Sequence, residues 1–595
     1  MMDFLRSRSA FFAFVFAALA ALFIKWSFSW SVACLPVWNR LGGTLCAGLL
    51  LCFGYWLSKK KGQEALPPAR VLWGLLIVAA LCTYVCSMAA LGYLWRSPLP
   101  LLLMMSALCL LWALLRRGCL LLLWVFCSAE MAQLAGYYEY GSRINSLVLA
   151  EVFEASGEEA MAYLSPGNIG LCLGIALVST LLCWAALRVL RGQGMLQLLN
   201  TACCCAMLAG VCSMALPPRN GGEEDYWPYY EAYVLGQACA EAISHNQATI
   251  ELAESLPSPA LEPSALRSLR GGEGVVLVLH IGESVRADRM SINGYERDTT
   301  PWLSSQPRLI NFSHCISSAC DTCQAQIAIL TNGRRGIGEM DPALQPTVGS
   351  VLDLFHAHSF KVFSFFGKRD ATHLKYDRVV QLLTRCATKR YHAPGSPWTS
   401  VPQMADVLRQ EGNKQNMVIF INNEGSHVPF EHFDREQTPF LPVGRNFENP
   451  AAHADEVNNA YDATVHYTDE FVHRVARLLQ GRPWVYLYVS DHGEYLGHDG
   501  IWGRAGLGES GRSYHSTSGC RVGMFVLSSP EFEQLHPHFA QALRELHSHA
   551  DMLVGHEHIF HTILGLFDVK TSCYDATLDL TSALARPYDG PKPQD

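Results

Sequence analysis

The sequence predicts a polytopic α-helical membrane domain at the N-terminal end, followed by an α/β soluble domain with a mainly parallel central sheet. Long apolar runs dominate the chain up to about residue 215, and such runs are typical of membrane spans. From about residue 270 onward, short apolar runs alternate with helix-like stretches, which favours a parallel sheet covered by helices. A chain of 595 residues is too long for one core, so we expect at least two domains.

Three segments of different composition divide the chain. We assign residues 1–215 to a transmembrane domain, 216–270 to a linker with a membrane-surface helix, and 271–595 to the soluble domain. The linker is rich in proline and glycine, while its stretch 228–255 has helical character. A net charge of −8 without a basic, aromatic-rich patch argues against nucleic acid as a partner.

Seven apolar stretches are long enough to cross a bilayer. The first is too long for the core of a signal peptide, and further spans follow it, so we interpret it as an anchor. Arg116 and Arg117 interrupt the region 99–135, so the expected number of helices is five to seven. The candidate spans lie near residues 11–33, 41–58, 72–94, 99–115, 118–135, 167–187 and 196–215.

Positive charge orients these spans, because basic residues accumulate in cytoplasmic connections. Every second connection is basic, whereas the loop 136–165 is acidic and falls on the other side. With the N-terminus inside, an odd number of spans places everything after residue 215 on the outer side of the membrane. The basic residues are Arg6, Arg8, Lys59, Lys60, Lys61, Arg70, Arg116, Arg117, Arg188 and Arg191.

Five apolar, β-rich runs predict strands of the soluble domain. Ligand sites in such sheets form beyond the C-terminal ends of the strands, and polar residues follow three of the runs directly. Glu283 follows the first run, residues 422–427 follow the third, and Asp491 and His492 follow the fourth. The runs are 275–281, 361–366, 417–421, 484–489 and 522–527.

The carboxylates and the imidazole at these strand ends indicate a metal site. Asp491 and His492 stand side by side and can both reach one cation, while Gly493 lets the backbone turn closely beneath it. Zinc accepts this mixed set of nitrogen and oxygen ligands. Each motif alone can equally be a polar loop or a helix cap, but Glu283 and Asp491 on one sheet support metal binding together.

Several ordered motifs carry a family resemblance. They lie at residues 282–288, 293–297, 425–427, 459–462, 467–469, 490–497, 560–566, 574–575 and 578–580. With these motifs the soluble domain resembles the phosphoethanolamine transferases of Gram-negative bacteria, which belong to the sulfatase and alkaline phosphatase superfamily. The resemblance covers roughly residues 275–580, and Glu159-Ala160 extends it to an acidic-loop motif of the membrane half. The family includes enzymes that modify lipid A or the lipopolysaccharide core and are linked to polymyxin resistance.

The resemblance implies a transfer mechanism at one principal zinc site. Thr322 is implied as both nucleophile and zinc ligand, beside Glu283, Asp491 and His492. A threonine hydroxyl is a weak nucleophile, and coordination to Zn²⁺ lowers its pKa. Thr322 is expected to attack the phosphorus of phosphatidylethanolamine, expel diacylglycerol and hold phosphoethanolamine covalently for an acceptor hydroxyl. His427, in a Gly-Ser-His motif, is expected near the phosphate and the leaving or entering oxygen.

Further residues are expected to contact the substrate. The family has histidines where this chain has Arg504 and Arg521, and arginine binds phosphate but does not ligate zinc. This difference argues against a second metal ion, unless His498 or His515 supplies the ligand. The candidate substrate contacts are Lys368, His373, Glu159, Arg504 and His515.

Two other clusters resemble metal sites in spacing. Cys320 and Cys323 form a Cys-x-x-Cys sequence, but neither a second cysteine pair nor a βαβ redox context accompanies it. Residues 556–561 hold three histidines and a glutamate, and the family resemblance implies that these are structural. One or two disulfides are compatible with an extracytoplasmic domain.

The resemblance implies a multi-pass protein of the bacterial inner membrane with a periplasmic, sulfatase-like catalytic domain. Expected partners of this monomer are phosphatidylethanolamine as donor, membrane lipids, and lipid A, lipopolysaccharide core or a periplasmic glucan as acceptor. Two alternatives stay open: a glycerol-phosphate transferase of the lipoteichoic-acid-synthase type, and a non-catalytic membrane sensor or scaffold. Sulfate ester hydrolysis is discounted, because no Cys/Ser-x-Pro-x-Arg sequence lies near residue 320.

Overall fold

The computed structural model describes mainly the chain that follows residue 230. The described residues are 149, 174, 230–256, 273–319, 321–333, 346, 348–367, 374–392, 397–428, 430, 438–443, 450–497, 502–503, 517–569 and 571–589. The chain forms two compact units, and the described residues from Val234 onward belong to one of them. Apart from residue 174, the predicted membrane spans lie outside the described residues, as does the domain boundary near residue 215.

A seven-stranded sheet forms the centre of this unit. The described strands are β1 (Val276–Gly282), β2 (Ile310–Asn311), β3 (Cys315–Ile316), β4 (Lys361–Phe366), β5 (Lys389–His392), β6 (Met417–Asn422), β7 (Trp484–Ser490), β8 (Tyr495–Leu496), β9 (Trp502–Gly503), β10 (Arg521–Val522), β11 (Met524–Ser528) and β12 (Val554–Gly555). The central order is β2-β11-β7-β1-β6-β4-β5. The strands from β7 to β5 are parallel, whereas β11 and β2 pair antiparallel at one edge.

The predicted strand over residues 522–527 is wrong in one respect, since the run is divided and its main part is antiparallel. Gly523 separates β10 from β11, and its N–H donates to the carbonyl of Val285 at 3.0 Å. A Cβ at this position would lie 2.5 Å from the Sδ of Met290. The chain therefore changes sheet at a glycine, with β10 joining β3 and β12 in a small second sheet.

Eleven helices are described, and most of them cover the two faces of the central sheet. They are α1 (Tyr230–Ser255), α2 (Pro301–Ser304), α3 (Thr322–Leu330), α4 (Val351–Ala357), α5 (Leu374–Leu383), α6 (Ser400–Glu411), α7 (Ala454–Leu478), α8 (Thr517–Cys520), α9 (Pro530–Leu535), α10 (Pro537–Ser548) and α11 (Glu557–Leu566). Helices α3, α4, α5, α10 and α11 share one hydrophobic core, and α6 and α7 share the other.

Strand β1 shows why the sheet is buried on both faces. Leu277 and Leu279 pack into the first core, whereas Val276 and Val278 pack into the second. Successive side chains of a strand point to opposite faces, so an uninterrupted apolar strand requires cover on each side. The continuous apolar runs of the sequence therefore correspond to the middle layer of a three-layer α/β/α arrangement.

Helix α1 confirms the helical character predicted for residues 228–255. Its C-terminal end packs into the first core through Ala253 and Leu256. Its placement on a membrane surface stays a prediction. Within the part of the chain that the structure describes, no helix combines the length and apolar content that a membrane span requires.

The described cysteines are free thiols, so none of them forms one of the disulfides considered from the sequence. Cys323 and Cys315 are buried, and burial raises the pKa of the Cys315 thiol. Cys320 lies outside the described residues. The described cysteines are Cys239, Cys315, Cys323, Cys386, Cys520 and Cys573.

Candidate metal centre

The register of two parallel strands brings the predicted acidic residues together. Gly282 at the end of β1 is paired with Ser490 at the end of β7. The next residues, Glu283 and Asp491, therefore leave their strands at the same level of one sheet edge. The backbone N–H of Asp491 continues the ladder by donating to the carbonyl of Gly282 at 3.0 Å.

The turn after Glu283 has an unusual backbone conformation. Ser284 has a φ of 59°, in the left-handed region that residues other than glycine rarely adopt. Its N–H donates to Oδ1 of Asp491 at 2.9 Å, and its carbonyl accepts from the hydroxyl of Tyr461 at 2.6 Å. These bonds hold Glu283 and Asp491 in a fixed relation to each other.

Glu283, Asp491 and His492 form a buried group whose ligand atoms all lie within 4.8 Å of one another. Nδ1 of His492 is 3.0 Å from the carbonyl of Gly493, so in the neutral ring it carries the proton and Nε2 is an acceptor. Nε2 lies 3.2 Å from Oε1 of Glu283 and 3.5 Å from Oδ2 of Asp491. Acceptor atoms buried this close together favour a shared cation.

Thr322 lies at the same place, as the first residue of α3. Its Oγ1 is 3.3 Å from both carboxylate oxygens of Glu283 and 3.3 Å from Nε2 of His492. The structure thus brings together all four residues that were predicted as zinc ligands. Carboxylate oxygens, one imidazole nitrogen and a hydroxyl suit a four-coordinate zinc ion, so the donor set fits this metal. The ligand roles themselves stay predictions.

The N-terminal end of α3 is capped next to the metal centre. Asp321 is the N-cap residue, and its Oδ1 accepts the N–H of Gln324 at 2.9 Å. Free N–H groups and the helix dipole make a helix N-terminus favourable for a phosphate group. Thr322 therefore combines proximity to the carboxylates and imidazole with a favourable position for an anionic substrate.

His427 lies in a loop that contacts the backbone of Glu283. The N–H of Ser426 donates to the Glu283 carbonyl at 2.8 Å, and the N–H of His427 donates to the carbonyl of Glu424 at 2.9 Å. Nδ1 of His427 is 2.6 Å from the carbonyl of Val428. The loop is therefore attached to the metal centre, while a catalytic role for the imidazole stays a prediction.

The predicted substrate contacts lie outside the described residues, and their roles stay predictions. They are Lys368, His373, Glu159, Arg504 and His515, together with the alternative ligand His498. Arg521 is described, and its Nε donates to the carbonyl of Ser313 at 2.9 Å. This arginine therefore helps to attach β10 to the segment that precedes β3.

The histidine-rich segment 556–561 bonds to backbone groups. His556 accepts the N–H of Ser318 at 3.3 Å, and its Nε2 lies 3.0 Å from the carbonyl of Ser490. Nδ1 of His561 accepts the N–H of Asp575 at 3.1 Å. These contacts agree with a structural role, which the family resemblance implied.

Two residues that support the centre had no predicted role. Tyr461 holds the turn at Ser284, and Lys375 binds the N-cap carboxylate of Asp321 at 2.6 Å. The position of Asp321 three residues before Gln324 is a cap signal that the sequence contains. No local pattern connects Lys375 to that cap, since the two residues are 54 positions apart.

Comparison with known proteins indicates the class of the domain that contains the candidate metal centre. Residues 275–569 match the protein family described as Sulfatase. The integral membrane protein lipooligosaccharide phosphoethanolamine transferase A (EptA) from Neisseria meningitidis aligns with a TM-score of 0.59. That alignment covers 92% of this chain and 98% of EptA at 17% identity, and it shows likeness of fold alone. Residues 275–569 therefore resemble the Sulfatase family in sequence, and the chain resembles EptA in fold.

Within that class, the predicted resemblance to phosphoethanolamine transferases is confirmed. The chain is 28% identical over 240 residues to phosphatidylethanolamine transferase Mcr-1 of Escherichia coli. It is 24% identical over 414 residues to Kdo(2)-lipid A phosphoethanolamine 7''-transferase of Escherichia coli strain K12. These matches cover 38% and 67% of this chain, and they span 44% and 68% of the length of the two relatives.

Proposed function

We propose that this protein transfers phosphoethanolamine from phosphatidylethanolamine to a hydroxyl group of the cell envelope, such as one on lipid A or the lipopolysaccharide core. The observation that carries the proposal is the Thr322 hydroxyl, which lies 3.3 Å from both Glu283 and His492. The names of the relatives supply the identity of the transferred group. We also propose that the protein crosses the inner membrane several times and that its catalytic domain lies in the periplasm.

In this proposal Glu283, Thr322, Asp491 and His492 hold one zinc ion. When bound, a zinc ion would lower the pKa of a coordinated hydroxyl and would offset the negative charge on the phosphoryl oxygens. The protein contributes the orientation of the ligands. Asp491 is fixed by the N–H groups of Ser284 and His492 at 2.9 and 2.8 Å, and His492 is oriented by the Gly493 carbonyl.

The transfer proceeds in two displacements at phosphorus. First, Oγ1 of Thr322 bonds to the phosphorus of phosphatidylethanolamine while the bond from phosphorus to the glycerol oxygen breaks. The threonine proton leaves with that oxygen, and diacylglycerol is released. In the second displacement an acceptor hydroxyl bonds to the same phosphorus, the bond to Thr322 breaks, and the acceptor proton returns to Oγ1. His427 is expected to bind near the leaving or entering oxygen in both displacements.

The substitution Thr322→Ala in the full-length chain tests this mechanism. We expect transfer to fall by roughly 10³-fold or more, because the nucleophile is removed. The measurement is transfer from a fluorescent phosphatidylethanolamine to envelope acceptors, followed by mass spectrometry of the acceptor and of the Thr322 peptide. Thr322→Ser keeps a hydroxyl and serves as the matched control. Unchanged transfer in Thr322→Ala would contradict the mechanism.

Two measurements separate the alternatives. Transfer from phosphatidylglycerol, but not from phosphatidylethanolamine, would identify a glycerol-phosphate transferase. The zinc content of the purified wild-type protein tests the alternative that the protein is a non-catalytic scaffold. If the protein is a transferase, we expect about one zinc ion per chain at the four-ligand site. Wild-type protein without bound metal and without transfer would support the scaffold.

A further inference from the structure

Helix α1 buries a polar face in the described unit. A helix normally turns an apolar stripe toward the core, yet His245, Asn246 and Thr249 are all buried, with 2 to 8% of their surface exposed. Buried polar groups are stable only when they are hydrogen-bonded. Each of these three side chains contacts a side chain on α3, which begins with Thr322, or on α5.

A series of three hydrogen bonds leads from α1 to the first turn of α3. Oδ1 of Asn246 accepts from Nζ of Lys375 at 2.9 Å, and the same ammonium donates to Oδ2 of Asp321 at 2.6 Å. The other oxygen of Asp321 caps the N–H of Gln324. The side chains of Lys375 and Asp321 are 3% and 6% exposed, so each depends on the other to remain charged.

Electrostatics agree with this geometry. Nζ of Lys375 lies 2.6 Å from Oδ2 of Asp321 and both side chains are almost fully buried, so the two groups form a buried ion pair. The N-cap is therefore a carboxylate, which is the form that best accepts backbone N–H groups at a helix N-terminus. Asn246 stabilises the lysine that keeps this cap in place.

A second connection reaches the same turn through Gln324. Its Nε2 lies 3.3 Å from Oγ1 of Thr249 and 3.3 Å from Nε2 of His245. The Thr249 hydroxyl in turn donates to the carbonyl of His245 at 2.9 Å. On the sheet side, Gln326 of α3 donates to Oδ1 of Asn422 at 3.0 Å. The start of α3 is thus held both by the sheet and by α1.

We propose that Asn246 and Thr249 of α1 are positioning residues for the Thr322 hydroxyl. Thr322 is the first residue of α3, so a shift of its first turn moves Oγ1 relative to Glu283 and His492. Helix α1 precedes residue 275, where the match to the Sulfatase family begins, so the chain supplies this support from outside the matched region. The inference rests on the proposed role of Thr322 as nucleophile.

The test compares four variants of the full-length protein. Asn246→Leu and Thr249→Val remove the hydrogen-bonding groups at nearly constant volume, whereas Thr249→Ser keeps the hydroxyl. Glu254→Gln is the matched control, because Glu254 lies on the same helix and makes only an exposed ion pair with Arg378. We expect kcat for transfer to fall about 10- to 100-fold in the first two variants, with KM and zinc content unchanged. Thr249→Ser and Glu254→Gln keep wild-type kcat.

Amide hydrogen exchange of the peptide 321–330 gives a readout that does not depend on transfer. We expect faster exchange in Asn246→Leu and Thr249→Val, and no change in Glu254→Gln. Wild-type kcat and exchange in both variants would overturn the inference, as would equal loss of kcat in Thr249→Ser and Thr249→Val. If the wild-type protein transfers no phosphoethanolamine, the proposed function is overturned instead. In that case the amide exchange data alone test whether Asn246 and Thr249 hold the first turn of α3 in place.

Discussion

At the scale of single residues, burial keeps two histidines near the centre uncharged. Burial lowers the pKa of His280 to about 4 and that of His556 to about 3. Nε2 of His280 lies 3.1 Å from Oδ1 of Asn423, and its Nδ1 lies 2.7 Å from the hydroxyl of Tyr486. Since the amide oxygen only accepts, Nε2 carries the proton and Nδ1 accepts from the tyrosine. The neutral ring therefore has a partner on each nitrogen.

We predict that His280 contributes to unfolding in acid. Its pKa is lower in the folded protein than the ordinary value of 6.5, so the unfolded chain binds more protons between these values. Stability is therefore complete above about pH 6.5 and is lost as the pH falls toward 4. The difference between a pKa of 6.5 in the unfolded chain and about 4 in the folded protein corresponds to a loss of roughly 3 kcal/mol in the free energy of unfolding.

The variant His280→Gln checks this prediction. We expect its free energy of unfolding to fall less steeply between pH 6.5 and 4 than that of the wild type. Denaturant titrations monitored by tryptophan fluorescence measure this pH dependence. His547→Gln, which replaces an exposed histidine, is the control for a histidine-to-glutamine substitution. Equal slopes in wild type and His280→Gln would refute the assignment.

At the scale of elements, the loop after β6 lies directly against the backbone of Glu283. Gly425 has a φ of 44°, and a Cβ at this position would lie 2.7 Å from the carbonyl oxygen of Glu283 and 3.0 Å from its nitrogen. Both atoms belong to the backbone and cannot rotate away. The close approach explains why glycine precedes Ser426 and His427 in this motif, and it links the loop to the metal centre.

We predict that Gly425→Ala lowers zinc content and transfer by about tenfold or more, because the added Cβ displaces Glu283. The control is Gly412→Ala, since Gly412 has a similar φ of 71° but no neighbouring atom within 4 Å of a Cβ. The control should lose about 1 to 3 kcal/mol of stability, because its ψ of −175° lies in a region that residues other than glycine rarely adopt, and its zinc content should stay unchanged. Metal analysis and thermal unfolding measure both quantities, and full zinc occupancy in Gly425→Ala would contradict the prediction.

At the scale of the whole molecule, the region that matches the Sulfatase family, residues 275–569, follows a long apolar region with alternating basic connections. The proposed transfer from a lipid donor requires the candidate metal centre to lie on the same side of the membrane as that lipid. The charge pattern predicts that this side is the periplasm.

Reporter fusions test this orientation. Alkaline phosphatase fused after residue 270 should be active, because it folds only after export, and β-galactosidase at the same position should be inactive. The matched control is a pair of fusions within the connection that holds Lys59, Lys60 and Lys61, where the opposite result is expected. Active β-galactosidase after residue 270 would overturn the predicted topology.

Much of the fold and of the site follows from local patterns in the sequence. Uninterrupted apolar runs predict buried parallel strands, and polar residues at their ends predict Glu283, Asp491 and His492 as neighbours, because parallel strands end at the same sheet edge. The predicted strand over residues 522–527 was wrong in its bounds and direction, since β11 begins after Gly523 and pairs antiparallel with β7. A short apolar run does not indicate the direction of a strand. Thr322 followed from the order of family motifs.

Tertiary structure alone decided what supports these residues. Tyr461 holds the turn at Ser284 from 177 positions away, and Asn246 meets Lys375 across 129 positions. Such contacts join residues that are far apart in the sequence, so no local periodicity encodes them. The sequence by itself determined which groups reach the end of the sheet. Only the tertiary structure places the Thr322 hydroxyl, at the start of α3, 3.3 Å from Glu283 and from His492.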